Sequence, residues 1–244
     1  MQNFKLNEEF LLNNQDWTFP TFTAYGPGRF KEIGKFCKNF KINNALIVTD
    51  SGSVNLPFIS DLQNLLNDSK IKSDIYSNIS PNPRDDEIDS GCKKFREGNH
   101  DAIIAIGGGS AMDGGKAISL TVDSGVPLWD FEFEKEPPIL TIENPFPKII
   151  TIPTTAGTGA ETEVTAMVTH LEKGMKFCLW HPDARPCLAL VDPELTLKLP
   201  ANLTAWTGID AMIHAIEGYS VPMFHPLCDG SALESLNLIS KSLY

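Results

Sequence analysis

Three glycines and a serine, Gly107-Gly108-Gly109-Ser110, stand between a β-branched run and a helix-compatible stretch that holds Asp113 and Lys116. Glycine lets a backbone come close to a ligand, and the free N–H groups of a helix start, aided by the helix dipole, form a site for an anion such as a pyrophosphate. The plainer alternative is a tight strand-to-helix turn. The run is not the G-x-G-x-x-G pattern, because Met112 stands where its third glycine belongs, and no Gly-Lys-Ser/Thr follows. Asp50 closes an earlier apolar run; there a carboxylate can accept hydrogen bonds from an adenosine ribose and would repel a 2′-phosphate, which favours NAD over NADP. Asp50-Ser51-Gly52 is also an ordinary turn sequence. Pro153 to Gly159, with Thr154 and Thr155, offers hydroxyls and amides for nicotinamide or phosphate contact, or a polar turn that satisfies its own backbone. Lys176 could reach a phosphate or ribose hydroxyl, or stay a solvated charge.

A second pair lies further along. Asp210 and His214 are four residues apart in a helical stretch, hence one turn apart on one face, where both could ligate one divalent ion. Such a pair is also a common surface hydrogen bond. Ala205, Ile209, Met212, Ile213 and Ile216 make the stretch apolar almost all round, so the acid and the imidazole are expected to be buried and to need a partner. His100, His170, His181 and His225 lack such spacing and read as loop or surface residues.

The elements that must position these groups alternate. Ala45–Thr49, Ser73–Ile79, Ala102–Ile106 and Lys148–Ile152 read as strands, and Pro57–Leu66, Asp85–Gly98 and Ala111–Leu120 as helices between them. Ile88, Cys92 and Phe95 share one helical face, as do Phe30, Ile33, Cys37 and Phe40 before the first strand. This pattern predicts an α/β domain, a parallel sheet covered by helices on both faces in the Rossmann manner. Val126–Pro147 is Pro-rich and reads as a surface excursion; Ala166–Thr169, Phe177–Trp180 and Cys187–Val191 are further strands. From Pro200 the pattern is helical throughout. A boundary near Pro193 divides residues 1–193 from 194–244, the latter the start of an all-helical domain that is expected to be incomplete.

A net charge of -11 argues against a nucleic-acid partner. The five cysteines contain no C-x-x-C pair and read as reduced thiols, Met1–Gln15 lacks the features of a signal peptide, and no apolar run is long enough for a membrane span. The expectation is a cytoplasmic protein and a homo-oligomer.

With these residues in place the chain resembles the iron-containing alcohol dehydrogenases, which include lactaldehyde reductase and several butanol and propanediol dehydrogenases. The resemblance rests on Val48-Thr49-Asp50, Pro81-Asn82-Pro83, the Gly107–Lys116 block, the Pro153–Glu161 block, Val191-Asp192-Pro193 and Thr207 to Glu217. It implies a nucleotide-binding domain, a helical domain and a catalytic divalent metal, usually Fe2+. It further implies that Asp50, Asn82, Gly108, Gly109, Ser110, Asp113, Thr154, Thr155 and Lys176 contact the dinucleotide and that Asp210 and His214 are the first two metal ligands. Two later histidine ligands of the family have no counterpart here, and Glu163 stands where relatives often have a threonine. The implied reaction is hydride transfer between NAD(H) and a small primary alcohol or aldehyde. Zn2+ also suits the ligand set. The rival readings are a glycerol dehydrogenase, hydroxyacid–oxoacid transhydrogenase or maleylacetate reductase chemistry on the same scaffold, or a dinucleotide-binding fragment without turnover.

Overall fold

A computed structural model describes residues 21–143, 145–222 and 224–243; Met1–Gln15, expected to carry no targeting segment, lies outside them. Contacts divide the described residues into two compact units, one formed within residues 21–155 and 159–199, the other within 200–243 together with 156–158.

The larger unit is built on a six-stranded sheet. Its strands are β1 (Thr23–Tyr25), β2 (Asn44–Val48), β3 (Lys72–Tyr76), β4 (Ala102–Gly107), β5 (Lys148–Pro153) and β8 (Leu188–Val191), in the order β1-β8-β5-β4-β2-β3, and every pairing is parallel. Successive side chains of a strand point to opposite faces, so two separate cores form. Leu46 and Val48 of β2 with Ile103 and Ala105 of β4 face one core; Ala45, Ile47, Ala102, Ile104 and Ile106 face the other. Helices α1 (Ile33–Asn39) and α2 (Pro57–Asp68) cover the second through Ile33, Phe36, Cys37, Ile59, Leu62 and Leu66. Helices α3 (Asp85–Glu97) and α4 (Gly109–Val122) cover the first, with Ile88, Cys92 and Phe95 inward as their spacing requires. Gly115 lets α4 lie close on β4: a Cβ there would come within 2.7 Å of the Ala105 methyl.

An antiparallel hairpin, β6 (Thr165–His170) and β7 (Met175–Trp180), packs Ala166, Val168 and Leu179 into the same core as α3 and α4. Strand β1 was not foreseen, since three residues carry no readable period, and the stretch before α1 is a 3-10 turn, Arg29–Glu32. The Val126–Pro147 excursion needs correction. Leu128 and Phe131 of a 3-10 turn are buried at its start, and Phe146 packs against the same core. The histidine expectation also fails in part: His100 and His181 are 7% and 5% exposed and the His170 ring lies stacked on Trp129, 4.4 Å between centroids. Phe95 and Asn44 lie against His100, Phe131 and Phe146 against His181, and Trp129 against His170, neighbours that a search for ligand spacing does not reveal.

The second unit contains α5 (Ala201–Ser220) and α6 (Pro226–Ser242), which pack against each other. His225 caps α6, its Nδ1 accepting from the Cys228 N–H at 3.1 Å, and Pro226 at the first helical position needs no amide partner. All five cysteines are unbonded thiols; burial pushes Cys37 and Cys92 up to about 12. No described helix is long and apolar enough to cross a membrane.

Candidate dinucleotide site and acid–imidazole pair

The chain runs outward from β2 to β3 and then crosses back over β2 to β4, so the loops leaving β2 and β4 diverge to opposite sides of the sheet. A crevice opens at such a reversal, beyond the carboxyl ends of the strands. Asp50 leaves one side of it and Gly107–Gly109 the other. Asp50 Oδ1 accepts from the Gly52 and Ser53 amides at 3.0 and 2.9 Å, which folds the loop back on itself. Its Oδ2 remains on the Gly107 side, 3.1 Å from where a Cβ on that residue would stand.

Gly107 has φ +145 and would bring a Cβ within 2.8 Å of the Ala111 methyl, so both conformation and space demand glycine. Gly108 differs. Its φ of -78 suits any residue, and an added Cβ would meet only Thr155, at 3.8 Å. Gly108 is the N-cap of α4 and offers no side-chain cap, so the first-turn amides of the helix receive no hydrogen bond from it. Thr49 Oγ1, fully buried beside this turn, has no hydrogen-bond partner.

Neighbouring loops join the same edge. The Thr154 N–H donates to the Gly107 carbonyl at 2.9 Å, which sets Thr154 and Thr155 beside the glycine turn. Ser110 Oγ donates to the Pro81 carbonyl at 2.6 Å, and Lys176 Nζ to Asn82 Oδ1 at 3.1 Å, so the loop after β3 is tied to α4 and to β7. Glu87, 3% exposed, holds that loop from beneath: its carboxylate accepts from the Ser80 N–H at 3.2 Å, Ser80 Oγ at 3.1 Å and the Arg84 N–H at 3.0 Å. The structure therefore brings together Asp50, Gly108, Gly109, Ser110, Thr154 and Thr155 around the glycine turn, with Asn82 and Lys176 paired nearby.

Asp113 lies inward on α4. Burial raises its pKa, against the pull of Lys116 and Lys176. Glu163 is exposed and accepts from Thr165 Oγ1 at 2.7 Å. Sequence reading gave no role to Lys116 or Glu87. Lys116 could have been flagged as the lone cation in a helix rich in small and apolar residues; Glu87 could not, since Arg84 is an unusual N-cap and hides the capping pattern.

Asp210 and His214 sit on α5 with Nε2 and Oδ1 3.6 Å apart, close enough to share one ion. They are not buried as expected: 54% of the His214 and 44% of the Asp210 side chain is exposed, because among the described residues α5 buries only Ala215. No group of three or more His, Cys, Asp or Glu with ligand geometry occurs among the described residues.

The family model for iron-containing alcohol dehydrogenase matches residues 20–193, and the model for the C-terminal part of the Fe-containing alcohol dehydrogenase family matches residues 204–244. The chain belongs to the iron-containing alcohol dehydrogenase family. Among similar proteins, the NAD-dependent methanol dehydrogenase of Bacillus methanolicus is 34% identical over 224 residues, 92% of this chain and 58% of that protein. The NADPH-dependent butanol dehydrogenase of Clostridium saccharobutylicum is 30% identical, over 93% of this chain and 58% of its own length. The crystal structure of sulfoacetaldehyde reductase from Bifidobacterium kashiwanohense in complex with NAD+ superposes with a TM-score of 0.85 at 30% identity, covering 95% of this chain and 60% of that one. This iron-containing alcohol dehydrogenase family member thus spans about three-fifths of the length of those relatives. Their names cover both nicotinamide dinucleotides, so family membership leaves the choice between them to local residues such as Asp50.

Proposed function

We propose that this chain carries the dinucleotide-binding half and the first metal-binding helix of an NAD(H)-linked, iron-dependent dehydrogenase acting on a small primary alcohol or aldehyde. The observation that carries the reading is the meeting of Asp50 Oδ2 with the open glycine turn at the sheet's reversal point. The orphaned Thr49 hydroxyl and the space before Gly108 fit a ligand with oxygen-rich groups. Asp50 would accept from the adenosine ribose, and its charge would oppose a 2′-phosphate. Gly108, Gly109 and Ser110 would present backbone N–H groups to the pyrophosphate. Asn82, Asp113, Thr154, Thr155 and Lys176 would orient the remainder. The dinucleotide accepts or gives the hydride, and a divalent ion supplies Lewis acidity toward the alcohol oxygen. Asp210 and His214 would hold that ion; carboxylate and imidazole suit Fe2+ and also Zn2+.

We place the division between the two functional parts near Pro193, supported by the separate family matches on either side. A cytosolic setting and self-association belong to the same proposal; the unbonded thiols fit a reducing compartment. One observation favours a second reading, dinucleotide binding without turnover: only two metal donors come together among the described residues.

Fluorescence titration separates these ideas. NADH is expected to bind and NADPH to bind more weakly, with Asp50→Ser narrowing the difference. Equal affinities in the wild-type chain would remove the assignment of Asp50.

A further inference from the structure

We propose that Lys116 is a positioning residue for this site: it clamps the far end of the loop that follows β5, whose near end is fixed by the Thr154 N–H on Gly107. This rests on the dinucleotide reading of that edge.

Lys116 lies in α4 among Ala111, Met112, Ala117 and Ile118, all buried, and is itself only 2% exposed. An ammonium at that depth is costly unless paired and hydrogen-bonded. Its Nζ donates to the Ala160 carbonyl at 2.8 Å and lies 3.6 Å from Asp113 Oδ1, one turn earlier on the helix. Burial drives the Lys116 pKa down while Asp113, Glu163 and Glu161 oppose that fall.

An apolar side chain would fill the same space at lower electrostatic cost. What lysine adds is a donor that reaches from α4 to the segment after Gly159. Other ties on that segment include Thr151 Oγ1 donating to the Glu161 carbonyl at 2.7 Å, Thr21 Oγ1 donating to the Thr162 carbonyl at 2.9 Å, and the Thr162 N–H and Oγ1 donating to the Gly159 carbonyl at 3.0 and 3.1 Å. Thr154 and Thr155 begin the loop that Lys116 secures at its end. The same helix carries Gly109 and Ser110 in its first turn and Lys116 less than two turns on. Gly107 at the end of β4 therefore holds the near end of the threonine loop and Lys116 of the adjoining α4 its far end, and ligand-contacting groups held in advance lose less entropy on binding.

The test compares the 244-residue chain with Lys116→Met, Asp113→Asn and the double variant Lys116→Met/Asp113→Asn. The double variant removes the orphaned carboxylate that could unfold Lys116→Met. Hydrogen exchange without ligand is followed at the Thr154 and Thr162 amides and at the sheet amides of β2 and β4. Both variants lacking Lys116 are expected to exchange at least tenfold faster at Thr154 and Thr162 with the sheet amides unchanged, whereas Asp113→Asn alone keeps wild-type protection at the loop. Wild-type protection in the double variant, or acceleration spread evenly over the sheet, would overturn the clamp. In parallel, Lys116→Met is expected to bind NADH at least tenfold more weakly than wild type, and equal affinity counts against the positioning role. Failure of the wild-type chain to bind NADH would strike the dinucleotide reading, while the exchange pattern would still decide the clamp.

Discussion

Asp50 divides its carboxylate between two tasks, with Oδ1 spent on the Gly52 and Ser53 amides and Oδ2 held beside Gly107. That division leaves a turn aspartate one oxygen for the ribose contact proposed above. The two adjacent glycines separate conformation from space in the same way. Gly107→Ala forces an L-residue into a positive-φ backbone and a methyl against Ala111, and is expected to cost about 2 kcal/mol or more in chemical denaturation. Gly108→Ala meets only Thr155 at 3.8 Å, so denaturation should be nearly unchanged while NADH affinity falls, since the methyl occupies the space the reading gives to the pyrophosphate. A Gly108→Ala variant that binds NADH like wild type would reduce the glycine run to a turn.

At the scale of elements, the loop after β3 depends on α3. Glu87 satisfies the Ser80 and Arg84 amides from a buried position, so Glu87→Ala strands those donors and is expected to destabilise the protein by about 2–3 kcal/mol, with Glu87→Gln losing less. Urea midpoints measure both. The junction between α3 and β4 holds a pH-sensitive group. His100 lies against Phe95, with Nδ1 3.1 Å from Asn44 Oδ1 and Nε2 3.5 Å from Asp74 Oδ2; burial lowers its pKa despite the raising influence of Asp74 and Asp101, and Lys94 lowers it further. The folded pKa being below the unfolded 6.5, the unfolded chain takes up this proton first. Stability from neutral His100 is therefore full above pH 6.5 and is lost as the pH falls through the folded value. Denaturation at pH 7.5 and 5.5 should show a smaller drop for His100→Asn than for wild type; an identical drop would assign the acid sensitivity elsewhere.

For the whole molecule, the two units differ in how much of their chemistry is enclosed. The sheet unit gathers its candidate ligand groups on one edge over two closed cores, whereas α5 leaves Leu203, Trp206, Ile209 and Ile213 exposed beside the half-exposed Asp210 and His214. A firmly held catalytic ion generally has three or more protein ligands. Asp210→Ala and His214→Ala are accordingly each expected to lower the iron retained after gel filtration while NADH binding persists. Iron retention unchanged in both variants would remove the pair from the metal site.

Sequence reading alone yields the α/β class, the strand–helix alternation and the positions of Asp50, the glycine turn and the Asp210/His214 pair, because each is written in local periodicity or in spacing along one element. The inward faces of α1, α2 and α3 follow from the 3.6-residue period alone. It missed β1, whose three residues are a strand only because β8 pairs with them. It misjudged His100 and His181, which are buried partly by groups far away in sequence, and Asp210 and His214, whose helix packs on α6 but leaves both side chains about half exposed among the described residues. That Lys116 reaches the Ala160 carbonyl, 44 residues on, and that Lys176 meets Asn82, 94 residues back, emerges only once the chain is folded. Such contacts depend on which loops the parallel crossovers bring to one edge of the sheet, and no window along the chain contains both partners.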